Sequence, residues 1–426
     1  MKRTRRLLPS AVLLAALVSP ITAAAQRAAP SRLQGDISYL ADDQLQGRRI
    51  GSLGAGMAAD YLAQRFQELG LKQAAGLSGW FQDFTVSPDA PAVRGTEFGG
   101  VTGRNVVGIL PGRDPKLAGQ FIVIGAHYDH LGLGGAGSLD PDSVGAPHNG
   151  ADDNASGVVA MLEAARRLSL RPPARSVLFL AFSGEEEGLL GSAAWVKAPA
   201  VPNDSIVAML NFDMVGRLRD DKLIVYGVET ATEWRPLLDS LNATAGFRMT
   251  AQGDGYGPSD HTSFTVAKRP VLHLFTGTHE DYHRTTDDWQ KINLDGIERV
   301  ALFASNIVWS VGNRGAGLTF VDLPPPAAPA GGSRSAGYGA YLGSIPDMSE
   351  NPGGVRLSGA RAGSPADQAG LKAGDILIKI GTFEVADLQG MTDALRAHQP
   401  GDVVEVVFRR DGQVMTTKVT LGRRGG

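Results

Sequence analysis

The stretch Gly150-Ala151-Asp152-Asp153-Asn154-Ala155-Ser156-Gly157 places two adjacent acids in a loop of small residues. An apolar run from Val158 to Leu168 follows at once and predicts a helix. Asn154 and Ser156 are good helix-capping residues, so the loop leads directly into that helix. A carboxylate held here would lie at the positive end of the helix dipole. An ordinary capped loop and a metal-binding loop both fit this octapeptide, and the rest of the chain has to decide between them.

Apolar strands alternate with amphipathic helices on both sides of this loop. Strands are predicted at residues 105–110, 121–126, 177–182, 206–212, 223–226 and 271–275. Helices are predicted at residues 57–69, 158–168, 189–196, 234–241 and 294–311. Continuously apolar strands between helices indicate a sheet that is covered on both faces. We therefore expect an α/β domain, a three-layer α/β/α sandwich, over residues 33–315.

The composition limits the kinds of site that this domain can carry. The chain has 426 residues, which is too long for one ordinary core, and a formal net charge of -3. That charge gives no general bias toward nucleic acid or anionic membranes. There is no cysteine, so disulfides and thiolate metal sites are excluded. Any metal must be bound by His, Asp and Glu side chains.

The N-terminus has the features of a secretory signal peptide over residues 1–25. Lys2 to Arg6 is basic, Leu7–Val18 is apolar, and Ala23-Ala24-Ala25 supplies a small-residue cleavage pattern. The apolar run is too short to span a membrane. We expect an exported protein, periplasmic or extracellular, without a membrane anchor. The pair Arg5-Arg6 leaves Sec and twin-arginine export both open.

Three of the predicted strands run into residues that can bind metal. They lead to His127 and Asp129, to Glu185 and Glu186, and to Asp213. In open α/β sheets, ligands bind beyond the carboxyl ends of the strands. Each of these residues alone fits a solvated strand end, but the three strand ends together predict a site.

The spacing of these residues suggests distinct roles. A metal-bound imidazole usually donates its other N–H to a carboxylate, and Asp129 is placed to accept from His127. Of the neighbours Glu185 and Glu186, one can bind metal while the other takes a proton from water. A merely charged loop is the alternative for this acidic run.

His279 to His283 formally matches the HExxH motif of zincins, in which Glu280 would be the base. That motif requires a helix, so that both histidines share one face. The preceding Thr276-Gly277-Thr278 and the residues that follow show no helical apolar periodicity. We interpret the match as a chance one in a loop.

Six segments together resemble the di-zinc aminopeptidase family that includes bacterial leucyl aminopeptidase and aminopeptidase Y. They are Ala126-His127-Tyr128-Asp129, the octapeptide 150–157, Glu185-Glu186-Glu187-Gly188-Leu189 with Gly191-Ser192, Asn211-Phe212-Asp213, Ser259-Asp260-His261 and Asp281-Tyr282-His283. The resemblance covers about residues 33–312, and Gly47-Arg48 also looks like the family's N-terminal segment. It implies the zinc exopeptidase fold with a mixed central sheet.

The resemblance also implies two Zn²⁺ per chain and a set of ligands. Asp153 would bridge the ions, His127 and Asp213 would complete one site, and Glu186 and His283 would complete the other. Members of the family often have a cis peptide bond after the bridging aspartate.

Further roles come from the same resemblance. Glu185 would be the general base, and Tyr282 would donate a hydrogen bond to the oxyanion. Asp129 would support His127, and Asp260 and His261 would support the site without binding metal. The other histidines carry weaker expectations. His148 and His279 lie near ligand segments, with a plain loop role favoured for the former, and a structural role is expected for His130, His273 and His398.

The function that the resemblance implies is an exported aminopeptidase, which hydrolyses N-terminal residues from peptides that have a free N-terminus. Glutaminyl cyclase on the same scaffold and a carboxypeptidase-type exopeptidase are alternatives. A binding protein that has lost zinc is another, and the complete ligand set argues against it.

The C-terminal residues 337–424 resemble a PDZ domain of the bacterial protease type, and the Pro/Ala/Gly-rich residues 322–336 predict a linker. The residues that carry the resemblance are 363–380, with Gly363-Ser364-Pro365-Ala366 at their start. Such domains bind C-terminal peptides by adding a strand and capping the carboxylate. The expected carboxylate loop is Tyr341, Leu342, Gly343 and Ser344. Ser344 replaces the usual apolar residue, so a structural or substrate-gating role is the alternative.

Overall fold

The computed structural model describes residues 30–323, 340–346 and 353–422, apart from positions 91, 94, 95, 136 and 387. The predicted signal peptide at 1–25 and nearly all of the predicted linker at 322–336 lie outside the described residues. No helix among the described residues has the length and apolar character needed to cross a membrane.

The N-terminal part is built on an eight-stranded mixed sheet, which agrees with the expected fold. Its strands are β1 (Phe81–Thr85), β2 (Thr102–Leu110), β3 (Phe121–His127), β4 (Ser176–Phe182), β5 (Ile206–Phe212), β6 (Lys222–Tyr226), β7 (Arg248–Gln252) and β8 (Val271–Phe275). They lie in the order β1-β2-β4-β3-β5-β8-β6-β7. The four central strands β4, β3, β5 and β8 are parallel to one another. Their carboxyl ends therefore meet at one edge of the sheet.

Helices cover both faces of this sheet. They are α1 (Pro30–Leu40), α2 (Leu53–Glu68), α3 (Gly157–Leu170), α4 (Leu190–Lys197), α5 (Trp234–Ala245), α6 (His261–Val266) and α7 (Leu294–Gly312). Strand β4 shows how the layers are joined, because all seven of its residues are buried. Phe179 and its alternate neighbours pack in the core formed with α1, α2, α3, α5 and α7. Leu178 and Leu180 pack on the opposite face with Trp195 of α4 and Phe264 of α6. A continuously apolar strand is required at such a position, and the three-layer sandwich follows.

The C-terminal part is a separate antiparallel sheet with two short helices. Its strands are β9 (Ser344–Pro346), β10 (Val355–Ala360), β11 (Ile376–Ile380), β12 (Phe383–Glu384), β13 (Val403–Arg410) and β14 (Gln413–Thr420). Its helices are α8 (Pro365–Gln368) and α9 (Leu388–Arg396). It has a core of its own, which includes Leu342, Leu377 and Phe408.

The expected carboxylate loop lies at the start of this unit. Tyr341 forms an isolated bridge with Gly422, and Leu342 is buried in the core. Gly343 has a φ of 75°, and a Cβ atom there would approach the Cβ of Ser364 to 2.3 Å. Only glycine fits both the backbone conformation and this close approach. Ser344 opens β9 immediately after this turn.

Candidate metal centre

The structure brings the five predicted metal ligands together at the carboxyl edge of the large sheet. His127 is the last residue of β3, and Asp213 directly follows β5. Glu186 lies in the loop after β4, and His283 lies in the loop after β8. Asp153 lies in the short helical turn Ala151–Ser156, which leads directly into α3. All five are largely or fully buried.

His127, Asp153 and Asp213 form a first cluster, in which one side-chain nitrogen or oxygen from each lies within 4.8 Å of the others. His127 Nε2 is 3.3 Å from Asp153 Oδ1 and 3.4 Å from Asp213 Oδ1. It also lies 4.0 Å from Glu185 Oε2. One imidazole nitrogen and two carboxylate oxygens thus converge, with a further acid beside them.

A second cluster shares Asp153. His283 Nε2 is 3.0 Å from Asp153 Oδ2 and 3.3 Å from Glu186 Oε2. His283 Nδ1 faces the backbone oxygen of Gly137 at 3.0 Å, which leaves Nε2 to point at the acids. His130 also belongs to this cluster, because it can supply a ligand atom together with Asp153 and Glu186.

The loop that presents Asp153 is fixed from several sides. The Asp153–Asn154 peptide bond is cis, as the resemblance implies. Asp287 Oδ2 accepts hydrogen bonds from the backbone N–H groups of Asp152 and Asp153, at 2.8 and 3.1 Å. Asn154 Oδ1 accepts from the N–H of Gly157, the first residue of α3. Asp287 sits four residues after His283, so one loop both supplies a histidine and holds the shared acid.

Arg48 ties three backbone segments together beneath the clusters. It is only 1% exposed. Its guanidinium donates to the backbone oxygens of Tyr128 at 2.6 Å, Asn149 at 2.7 Å and Gly150 at 3.1 Å, and also to that of Leu40. Burial lowers the pKa of this guanidinium to about 10, although nearby carboxylates oppose the shift. The segments that carry His127 and Asp153 are therefore joined by one buried cation.

The clusters concentrate negative charge in a buried place. Burial opposes ionisation of Asp153, but the imidazoles of His127 and His283 hold its pKa well below its ordinary value. Burial would lower the pKa of His127, yet the carboxylates of Asp213 and Glu185 raise it well above its ordinary value. The pKa of His283 is raised to about 10 against the effect of burial, first by Glu186. The acids therefore favour the positively charged form of both imidazoles.

Divalent cations fit this arrangement. The donors are imidazole nitrogens and carboxylate oxygens without thiolate, which suits a zinc site that has open positions. The two oxygens of Asp153 face different clusters, and each cluster adds one further acid and a histidine. A cation in each cluster would replace the protons that the acids otherwise attract to the histidines.

The predicted non-ligand residues lie around the clusters. Glu185 is 3% exposed, and burial raises its pKa well above its ordinary value, with Glu186 and Asp213 adding to the rise. The Tyr282 ring stacks on the His283 imidazole, with centroids 3.8 Å apart. Asp260 is fully buried, and burial raises its pKa to about 7.

The geometry of Asp129 differs from the expected hydrogen bond to His127. Its Oδ1 is 3.8 Å from His127 Nδ1, and that nitrogen lies 3.2 Å from the backbone oxygen of Asp129 instead. The carboxylate accepts the backbone N–H groups of Glu185 and Glu186, at 3.1 and 3.3 Å. It therefore holds the loop after β4 in place as well as lying beside the imidazole.

The chance interpretation of the HExxH match agrees with the structure. Residues 276–288 form turns and irregular backbone, and no helix joins His279 to His283. His279 Nε2 contacts Asp152 Oδ2 at 3.0 Å, away from the two clusters, and Glu280 is exposed. The zincin interpretation is therefore wrong.

The remaining histidines are mostly structural. His148 bonds to Ser138 and Ala146, and His261 stacks on His273 with ring centroids 4.5 Å apart. His398 faces the backbone oxygen of Ala394 within the C-terminal unit. His130 is the exception to the expected structural role, because it enters the second cluster. Its position three residues after His127, directly past a strand, was the available signal.

Comparison with known proteins gives two domain matches. Residues 105–308 match the family described as Peptidase family M28, and residues 340–421 match the PDZ domain. Among curated relatives, the alkaline phosphatase isozyme conversion protein of Escherichia coli is 27% identical over 67% of this chain and 75% of its own length. Leucine aminopeptidase 1 of Uncinocarpus reesii is 31% identical over 45% of this chain and 50% of its own length. The chain spans about half the length of most of the first curated relatives it matches.

Solved structures share the fold. The aminopeptidase from an Aneurinibacillus species superposes with a TM-score of 0.54 at 18% identity, covering 70% of this chain and 97% of its own. A zinc aminopeptidase from Bacillus subtilis gives a TM-score of 0.52 at 17% identity, covering 68% and 96%. The zinc exopeptidase fold of the larger unit is confirmed.

Proposed function

We propose that this metallo-exopeptidase is an exported, two-zinc aminopeptidase. The premise is that residues 105–308 match Peptidase family M28 and residues 340–421 match the PDZ domain. The observation that carries the proposal is the orientation of Asp153. Its Oδ1 faces His127 and its Oδ2 faces His283, at 3.3 and 3.0 Å. A buried carboxylate whose two oxygens face different histidines is suited to bridging two cations.

The ligands would divide into two sets around this bridge. His127 and Asp213 would hold one zinc, and Glu186 and His283 the other. Bound zinc would supply Lewis acidity, which polarises the scissile carbonyl and makes water more acidic.

Glu185 would be the general base. It lies beside the first cluster but belongs to neither cluster. It accepts a proton from the attacking water as the water oxygen bonds to the carbonyl carbon. It then delivers that proton to the leaving nitrogen as the C–N bond breaks. Tyr282, stacked on His283, would donate to the oxyanion.

A carboxypeptidase needs a cation that binds the carboxylate of its substrate. Three arginines near the clusters already bind other groups, which favours an aminopeptidase. Arg48 is committed to backbone oxygens. Arg217 pairs with Asp281 and Asp287, at 2.9 and 3.3 Å. Arg284 donates to the backbone oxygens of Glu280 and Leu139. A free amine, by contrast, fits a pocket rich in carboxylates.

Two sets of peptides test the direction of cleavage. We expect the purified protein to hydrolyse aminoacyl anilides and to shorten free peptides from the N-terminus. Peptides with an acetylated N-terminus and a free carboxylate should be inert. Release of C-terminal residues from the acetylated set, measured by mass spectrometry, would contradict the aminopeptidase proposal. Cyclisation of N-terminal glutamine without peptide hydrolysis would point to the cyclase alternative.

The C-terminal domain is proposed to act on peptide recognition rather than on the chemistry. The peptidase unit extends to Asp322, because Phe320 bridges to Ala231 and Asp322 pairs with Lys268 at 2.7 Å. A chain that ends after Leu323 keeps these contacts. We expect it to fold and to cleave aminoacyl anilides at the full-length rate, as measured by circular dichroism and steady-state kinetics. Loss of folding would show that the two domains depend on each other.

The same pair of proteins tests the PDZ domain. If it captures peptides by their C-termini, the truncated protein should have a higher KM for long peptides and an unchanged kcat for anilides. An equal KM of the truncated and full-length proteins for long peptides would show that the PDZ domain does not take part in substrate binding.

Export to the periplasm or the medium, expected from residues 1–25, is tested by fractionating cells that produce the full chain.

A further inference from the structure

His130 makes a specific contact on the outer side of Glu186. Its Nδ1 lies 2.7 Å from Glu186 Oε1, while His283 Nε2 lies 3.3 Å from the other oxygen, Oε2. The two imidazoles therefore take opposite oxygens of one carboxylate. Because an ionised carboxylate only accepts hydrogen bonds, Nδ1 of His130 is the donor.

The two histidines differ in their relation to Asp153. His283 Nε2 is 3.0 Å from Asp153 Oδ2, so it sits between both acids of the second cluster. His130 Nδ1 is 3.9 Å from the same oxygen. His283 Nε2 thus lies within 3.3 Å of an oxygen of each acid, which suits a direct ligand of the second cation. His130 contacts Glu186 alone at hydrogen-bonding distance.

The His130 ring lies in a buried slot. The residue is fully buried, and its Nε2 has no hydrogen-bond partner among the described residues. The ring meets the His283 ring edge to face, with centroids 5.6 Å apart. A Cβ atom on Gly150 would approach His130 Cγ to 2.5 Å, so glycine at that position makes room for the ring. The hydrogen bond to Glu186 is thus the polar contact that orients this side chain.

We propose that His130 is a positioning residue of the second zinc site, which donates a hydrogen bond to Glu186 Oε1 and so directs Oε2 toward the cation beside His283. The inference rests on the proposed two-zinc site. Outer partners of ligating carboxylates fix their orientation, and their loss typically weakens metal binding about 10- to 100-fold.

The test measures zinc affinity rather than turnover. The full chain is stripped of metal, and its two zinc dissociation constants are determined by competition with a chromophoric chelator. His130→Ala should raise one constant by about 10- to 100-fold and leave the other unchanged, so the first site serves as the internal control. His130→Asn places an amide N–H near the position of Nδ1, and it should restore most of the lost affinity. Thermal unfolding of each metal-free variant checks that the fold is retained.

The outcomes separate this inference from the proposed function. Unchanged zinc affinity in His130→Ala would overturn the positioning role while the two-zinc site stands. Failure of His130→Asn to restore affinity would also overturn it, because a restored hydrogen bond to Glu186 would then not recover zinc binding. A wild-type chain that binds no zinc would instead refute the proposed function itself.

Discussion

Replacing Glu185 by glutamine is expected to lower the turnover number on an aminoacyl anilide by about 10²- to 10⁴-fold, the usual worth of a general base. The amide keeps the shape of the side chain but cannot take the proton from water. Glu185 belongs to neither cluster, so the zinc content should stay at the wild-type level. KM should change little, because the lost interaction acts in the transition state.

Two other acids serve as controls for Glu185→Gln. Glu186→Gln should lower the zinc content, because Glu186 Oε2 faces His283 in the second cluster. Glu280→Gln should leave both zinc content and turnover close to wild type, because this side chain is exposed. A fully active Glu185→Gln enzyme would refute the assignment of the base.

Arg48→Met is expected to lower the free energy of unfolding by about 3 kcal/mol or more, since each buried acceptor left without a donor costs about 1–3 kcal/mol. Among the described residues, only the Gly150 oxygen keeps another donor, the Ala155 N–H. The guanidinium serves four backbone oxygens, those of Leu40, Tyr128, Asn149 and Gly150. Methionine fills much of the volume but donates to none of them. Because two of the joined segments carry His127 and Asp153, weaker zinc binding should accompany the loss of stability.

Arg49 provides a matched control. It is 21% exposed, and it pairs with Glu187 at 3.2 Å and Glu97 at 3.6 Å. Exposed ion pairs contribute about 0–1 kcal/mol, and Arg49 also stacks over the Phe98 ring at 4.6 Å. Arg49→Met should therefore cost some stability, but clearly less than Arg48→Met. Urea titration of the metal-free full chains, followed by circular dichroism, gives the comparison. Equal midpoints for the Arg48 and Arg49 variants would contradict the role assigned to Arg48.

The sequence predicted those parts of the fold that carry strong periodicity. Strands β3, β4 and β5 are apolar along their length because they are buried on both faces, so their positions could be predicted almost to the residue. Strand β7 was missed, because it lies at the edge of the sheet and every residue in it is exposed or half-buried. Helix α6 has only six residues, too few for a helical pattern to be recognised.

The site was predicted unevenly for similar reasons. Ligands at strand ends could be identified, because the order of parallel strands brings their ends together. Arg48 has a φ of 49°, and one of its acceptors is 102 residues away in the chain. Asp287 contacts Asp153 across 134 residues. Such supports depend on how loops fold against one another, and neither composition nor spacing carries that information.

The two-zinc account is tested most directly by counting zinc in Asp153→Ala beside Asp213→Ala and the wild-type chain. The measurement is metal content per chain by mass spectrometry after equilibration with zinc and desalting. We expect about two zinc ions in the wild type. Asp213→Ala should keep about one, because Asp213 belongs to the first cluster alone. Asp153→Ala should lose both ions and all measurable turnover, because its two oxygens face both clusters. An Asp153→Ala protein that keeps one firmly bound zinc, or a fully active wild type with none, would contradict the account.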